Sequence, residues 1–294
     1  MPRAGRKTDC RGLLFILPAM IVLCVATLYP YLYAIYISFQ KVTYGKLMGF
    51  TGLKNYVNVF GSSAFHAAVW HQIIIVCLSG LLQFLLGMSG ALMLNRAGRF
   101  THVLRSMVLV PWVLPGVVCG LLWQWIFNGN VGVLNYLLTN LGITEKFLPW
   151  LSQGGYAMTA ILTVNIWRVF PFMMVMYLSG LQSIPVDQYD AAVIDGATGW
   201  QSLIYVTLPN MRSIITMTLI LSSIWNFKIF DIVWTLTEGG PNGSTEVFST
   251  LIYKYSFQRA DFGYSSAVAV IMALIISFPI FLNLRINTAR EEEA

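Results

Sequence analysis

Charge is what this chain lacks. Of its 294 residues only 10% are Asp, Glu, Lys or Arg, while 57% are hydrophobic; a soluble domain carries about 25% charged and about 45–50% apolar residues. So few charges cannot cover a surface that meets water, which excludes soluble enzymes, disordered regulators and free nucleic-acid binders together. The formal charge of +6 does not restore the last of these, because the basic residues stand at the ends of apolar runs and form no single patch. Cysteine is also scarce. Cys10, Cys24, Cys77 and Cys119 show no CxxC or similar spacing, and three of them lie inside apolar runs, as small buried hydrophobes do. No set of residues has metal-ligand spacing. No GxxxxGK[ST] phosphate loop occurs, so any ATP-derived energy must come from another polypeptide.

Long apolar runs are what the sequence has. A membrane-crossing helix needs about 20 mostly apolar residues, and six stretches supply them: 12–39, 68–94, 104–127, 156–181, 209–233 and 264–286. The expected fold is an all-α integral membrane protein with six transmembrane helices. Residues 1–11 and 287–294 are tails, 40–67 is an outer loop, and 68–286 forms one transmembrane domain. The first run follows Arg3, Arg6, Lys7 and Arg11 and begins like a signal peptide. It is too long for one and no small-residue cleavage site follows, so it reads as a retained helix. Further basic residues, Arg96, Arg99, Arg105, Arg212, Arg285 and Arg290, share the side of the N-terminus. Fewer (Lys41, Lys46, Lys54, Lys146, Lys254 and Arg259) lie opposite. By the positive-inside rule both termini are cytoplasmic.

Among the inner connections, only 182–208 is long enough to hold its own structure. Pro185 suits the first turn of a helix, with Asp187 and Asp190 near its positive end. Gly196 is placed to end that helix in a left-handed conformation. Thr198 and Gln201 form a capping box for a second short helix, which Leu208-Pro209 should break. The result is a helix–glycine–helix elbow presenting Ala191 and Ala192 beside a carboxylate.

The pattern Asp190-Ala191-Ala192-x-x-x-Gly196, continuing to Val206-x-Leu208-Pro209, resembles the EAA signature of the permease subunits of binding-protein-dependent ABC importers. Asp190 stands where Glu is usual and Val206 where Ile is usual, and both changes keep charge and shape. Other runs resemble the sugar and glycerol-phosphate branch: Leu17-Pro18-Ala19, Gly52-Leu53-Lys54-Asn55-Tyr56, Pro111-Trp112, Phe230-Asp231 and Leu236-Thr237-Glu238-Gly239-Gly240-Pro241. His71-Gln72 departs, since Asn-Thr is common there. The resemblance implies a type I permease fold in a bacterial inner membrane. Asp190, Ala191, Ala192, Asp195, Gly196, Leu208 and Pro209 would couple the chain to cytoplasmic ATPase subunits. The implied partners are a second, non-identical permease, two ATPase subunits that use ATP and Mg, and an extracytoplasmic binding protein. This chain would hold no cofactor itself.

Polar side chains at membrane depth are functional candidates. Asn165 and Arg168 lie one turn apart before Pro171, which should kink their helix; Gln124 sits between Trp123 and Trp125; Asn226, Lys228 and Asp231 follow in the fifth run. Asn226 is roughly 25 Å past Pro209 at 1.5 Å per residue, in the outer half of the bilayer. Together these would offer amide, charged and indole groups to a sugar. Two structural readings stand beside this one: Lys228 and Asp231 as an i,i+3 ion pair, and Arg168 as a buried or snorkelling cation. Gly239-Gly240-Pro241 is a turn, and the resemblance makes it a dock for the binding protein.

Three rivals complete the reading. Gly87-Met88-Ser89-Gly90 matches an intramembrane protease nucleophile, but His66, His71 and His102 leave no base on the last three spans. Small residues there serve close helix packing instead. A stand-alone secondary carrier would show an internal repeat, and none is found. A type I permease for polyamine or phosphate is the nearest alternative.

Overall fold

A computed structural model describes residues 11–95 and 101–293, so Arg3, Arg6, Lys7, Cys10, Arg96 and Arg99 lie outside the described residues. The chain forms two compact units, 1–61 with 252–273 and 62–251 with 274–294.

In the first unit, α1 (Arg11–Leu23) and α2 (Tyr29–Ser38) are joined by a π-helical stretch at Cys24–Leu28 into one rod. Its apolar part, Phe15–Ser38, is long enough to cross a membrane. A two-stranded hairpin follows, β1 (Gln40–Thr43) antiparallel to β2 (Lys46–Phe50), then α3 (Lys54–Phe60). An all-α reading did not anticipate this hairpin. The Asn55 amide fixes the junction by donating to the carbonyls of Ser38 and Gln40 at 2.8 and 2.9 Å. Gly263 belongs here because a Cβ at that position would come within 2.5 Å of the Gln40 carbonyl.

The second unit is built on two long helices, α4 (Ser63–Asn95) and α8 (Gly154–Gln182), both able to span a membrane. They touch through glycine: a Cβ on Gly87 would lie 2.9 Å from the Met173 Cβ and 3.2 Å from the Met174 nitrogen. Small-residue packing therefore explains Gly87 and Gly90, while Ser89 between them is exposed.

Two predicted spans are not single helices. Residues 104–127 divide into α5 (Thr101–Val113) and α6 (Gly116–Ile126), bent by 92°. The reason is Pro115, which caps α6 and drives Leu114 out of helical geometry. Residues 209–233 divide as well. α12 (Arg212–Phe227) ends at Lys228, and α13 (Asp231–Thr237) starts afresh three residues later. Three helices thus cross by length and composition, or up to five if each bent pair is one span; after the short helices α7 (Val133–Asn140) and α14 (Phe248–Tyr253), the predicted sixth begins in α15 (Phe262–Glu293), apolar over Phe262–Phe278. α8, by contrast, runs through Pro171 without interruption.

Candidate functional site

The elbow forms as its local signals require. α9 (Val186–Ile194) is capped by Pro185, which precedes the first turn and does not enter it. The helix ends in a Schellman turn. Gly196 adopts φ +76°, its N–H donates to the Val193 carbonyl, and the Ala197 N–H reaches back to the Ala192 carbonyl at 2.9 Å. Asp195 caps the C-terminal end. α10 (Gly199–Ser202) opens with a complete capping box between Thr198 and Gln201.

Leu208-Pro209 does not break the second helix where expected. A π-helical turn at Leu203–Thr207 runs into α11 (Leu208–Asn210), with the Leu208 N–H bonded to the Leu203 carbonyl. Asn210 donates to the Val206 carbonyl, and the chain turns by 72° only at Met211.

Asp190 and Ala191 are exposed and Ala192 is half-buried, as are Leu208 and the neighbouring Val206. Most of the exposed apolar surface, however, belongs to Val193, Ile194, Trp200 and Tyr205, which the sequence reading did not single out. Two bonds tie α9 to the second arm of the elbow. Tyr189 Oη meets Thr207 Oγ1 at 3.0 Å, and Asn210 donates to the Gln188 side chain at 2.7 Å. The Tyr189 ring packs on the cluster of Met88, Met173, Tyr177, Leu181 and Met211.

A cavity of about 370 Å³ opens where α5, α8, α12 and α13 converge. Asn165, Arg168, Lys228 and Asp231 line it together with Trp112, Trp225 and Phe230. The helix break at 228–230 makes this opening. Phe172 bridges the two indoles, stacked on Trp112 at 5.2 Å and edge-on to Trp225 at 4.9 Å. No ion pair joins Lys228 to Asp231 among the described residues. Asp231 instead begins α13, where the helix dipole favours a carboxylate, and lies against Gly116 at the start of α6. Arg168 Nε is buried and makes no hydrogen bond.

Two candidates fall elsewhere. Gln124 is exposed on α6 and does not line the cavity. Asn226 is fully buried beside it, its side chain committed to a network between three helices. Asn165 donates to Asn226 Oδ1 at 2.8 Å and to Ser79 at 3.1 Å, Ser222 donates to Gln83 at 2.6 Å, and Gln72 donates to the Asn226 carbonyl at 2.9 Å. Gln72, Ser79, Gln83 and Ser222 were missed. Gln72, Ser79 and Gln83 stand seven and four positions apart, on one face of the apolar α4, and Ser222 one turn before Asn226 on α12; that spacing was the available signal.

Comparison with known proteins agrees with this architecture. The family described as "Binding-protein-dependent transport system inner membrane component" matches residues 83–290. The trehalose/maltose transport system permease protein MalF of Thermococcus litoralis is 35% identical over 271 residues, covering 92% of this chain and 91% of its own length. The sulfoquinovosyl glycerol transport system permease protein SmoG of Agrobacterium fabrum is 32% identical, covering 92% and 90%. Among solved structures, a chain of a bacterial ABC transporter that imports the acidic polysaccharide alginate superposes with a TM-score of 0.81. It is 24% identical and covers 95% of this chain and 97% of its own, which establishes the common fold.

Proposed function

We propose that this chain, which belongs to the binding-protein-dependent transport system inner membrane component family and is an ABC transporter permease, forms half the pore of a sugar importer. The cavity beside Arg168 is the observation that carries the proposal. It combines two indoles and a phenyl ring, which suit the apolar faces of a pyranose, with amide and charged groups that suit its hydroxyls. Two cations against one carboxylate disfavour a polyamine. Relatives named for trehalose/maltose and sulfoquinovosyl glycerol support a carbohydrate.

The chain sits in the bacterial inner membrane with both termini inside. Its partners are a second, non-identical permease, two ATPase subunits and an extracytoplasmic binding protein. ATP and Mg are used by the ATPases alone. The elbow docks into an ATPase, with Asp190 offering a charge-assisted contact and Val193, Ile194 and Trp200 the apolar area. Motion of α9 reaches the span helices through Tyr189 and its cluster, while the Asn210–Gln188 bond holds the two arms of the elbow together. Such a lever needs rigid segments joined at defined bends, which the break at Met211 supplies.

The test is uptake of labelled trehalose, maltose and sulfoquinovosyl glycerol into proteoliposomes holding the complete transporter. Uptake of at least one sugar that needs ATP, and that Trp225→Ala lowers by roughly tenfold, is the expected result. Gradient-driven uptake by this chain without ATPase subunits overturns it. Cysteine at Ala192 should crosslink to the ATPase; no crosslink from anywhere in the elbow refutes the coupling role.

A further inference from the structure

Beyond the outer end of the first rod, Tyr44, Leu47, Phe50 and Val57 are exposed, while Ile37, Gln40, Val42 and Val59 are buried among the described residues. Phe15–Ser38 contains 24 residues, about 36 Å of helix against a hydrocarbon layer of about 30 Å. The hairpin therefore leaves the rod at the edge of the bilayer. Paired residues of a hairpin share a face: Gln40 with Phe50 and Val42 with Leu47 lie on one face, where β1 is buried and Leu47 and Phe50 stay exposed, and Lys41 with Gly49 and Thr43 with Lys46 lie on the other. All five residues of β2 are exposed, although a two-stranded hairpin has little stability alone in water.

The turn adds a second observation. Tyr44 and Gly45 both have positive φ, +50° and +74°. Glycine or asparagine would satisfy the first position with less strain, yet the chain places there a tyrosine that is 84% exposed. α3 repeats the pattern. It buries Asn55 and Val59 and exposes Val57 and Phe60, with Leu53 exposed at its N-cap, beside the exposed Lys54 and Asn58.

We propose that the hairpin and α3 form a foot that lies in the outer headgroup layer of the membrane. Leu47, Phe50 and Val57 enter the acyl boundary, Tyr44 sits at the interface, and Lys41, Lys46 and Lys54 meet anionic phospholipid phosphates. The occupant of this surface is lipid. Its position follows from continuity with the spanning rod, and its charge from three exposed lysines on a surface without an exposed acid between residues 40 and 60.

The experiment places a nitroxide at Phe50→Cys and, separately, at Val57→Cys, in the full chain with its native cysteines replaced. The chain is reconstituted in vesicles of phosphatidylethanolamine and phosphatidylglycerol. Both sites are exposed, so neither label disturbs packing. Collisions with oxygen should exceed those with a water-soluble nickel chelate several-fold at both sites, with the opposite ratio at Glu145→Cys in an exposed loop. Preferential access by the chelate at positions 50 and 57 overturns the proposal. Shielding from both reagents overturns it as well, and points to a protein partner. Exchanging phosphatidylglycerol for phosphatidylcholine should raise chelate access in the native-lysine chain, and not in one carrying Lys41→Gln, Lys46→Gln and Lys54→Gln. Insensitivity of the native-lysine chain to that exchange refutes the headgroup contact.

Discussion

In the elbow, every defining bond joins near neighbours: Ala197 to Ala192, Gln201 to Thr198, Tyr189 to Thr207, and Asn210 to Gln188 only 22 positions away. In the cavity wall, Asn165 reaches Ser79 and Asn226 across 86 and 61 positions. The elbow is a surface made by local chemistry and left exposed, whereas the cavity is a gap left where a helix stops and three others converge. Damage should therefore propagate differently. On the proposed function, a change in the elbow should alter what the chain transmits, and a change around the cavity should alter either what it holds or whether it holds together.

Four substitutions sharpen this contrast. Gly87→Leu should have the largest effect, since it forces a side chain into the backbone of α8 at Met173–Met174. Overpacking of this kind costs about 1–3 kcal/mol or more, and detergent-solubilised protein should show a strongly lowered Tm. Trp225→Ala should leave Tm nearly unchanged while reducing sugar uptake by roughly tenfold, about 1.4 kcal/mol of binding. If both fall together, the cavity is structural.

Asn226→Ala comes next. The sequence alone makes Asn226 a substrate ligand whose loss impairs uptake and spares assembly. Its burial between Asn165, Gln83 and Ser222 leads instead to a loss of about 0.6–1.7 kcal/mol in stability, visible as a lowered Tm before any change in substrate preference. Gly196→Ala is the smallest, a strain of about 1 kcal/mol at φ +76°. It should leave folding intact and weaken the response of ATPase rate to substrate; a normal response would show that the angle of the elbow is not critical.

What could be read beforehand follows the same division. Gly196, Thr198 and Gln201 act within a few residues, so their geometry is encoded where they stand, and the Schellman turn and capping box both appear. Pro209 misled because a π-turn and the Asn210 side chain accommodate it, which moves the bend to Met211. The break at 228–230 has neither Pro nor Gly to announce it, so Lys228 and Asp231 looked like one turn of a single helix and an ion pair. The polar positions of α4 were visible, but their partners belong to helices far along the chain. Hydropathy gave the apolar runs and could not show the hairpin, whose residues alternate too briefly to stand out.

The rod at Phe15–Ser38 has none of its most apolar window covered by the other described residues. Side chains there have no jigsaw to fit, so exchanging one aliphatic residue for another should be nearly silent, while a single charge would be felt at once. Drift at these positions would therefore record the thickness and composition of the surrounding bilayer, or the face of a neighbouring subunit, and say little about the architecture of the chain itself.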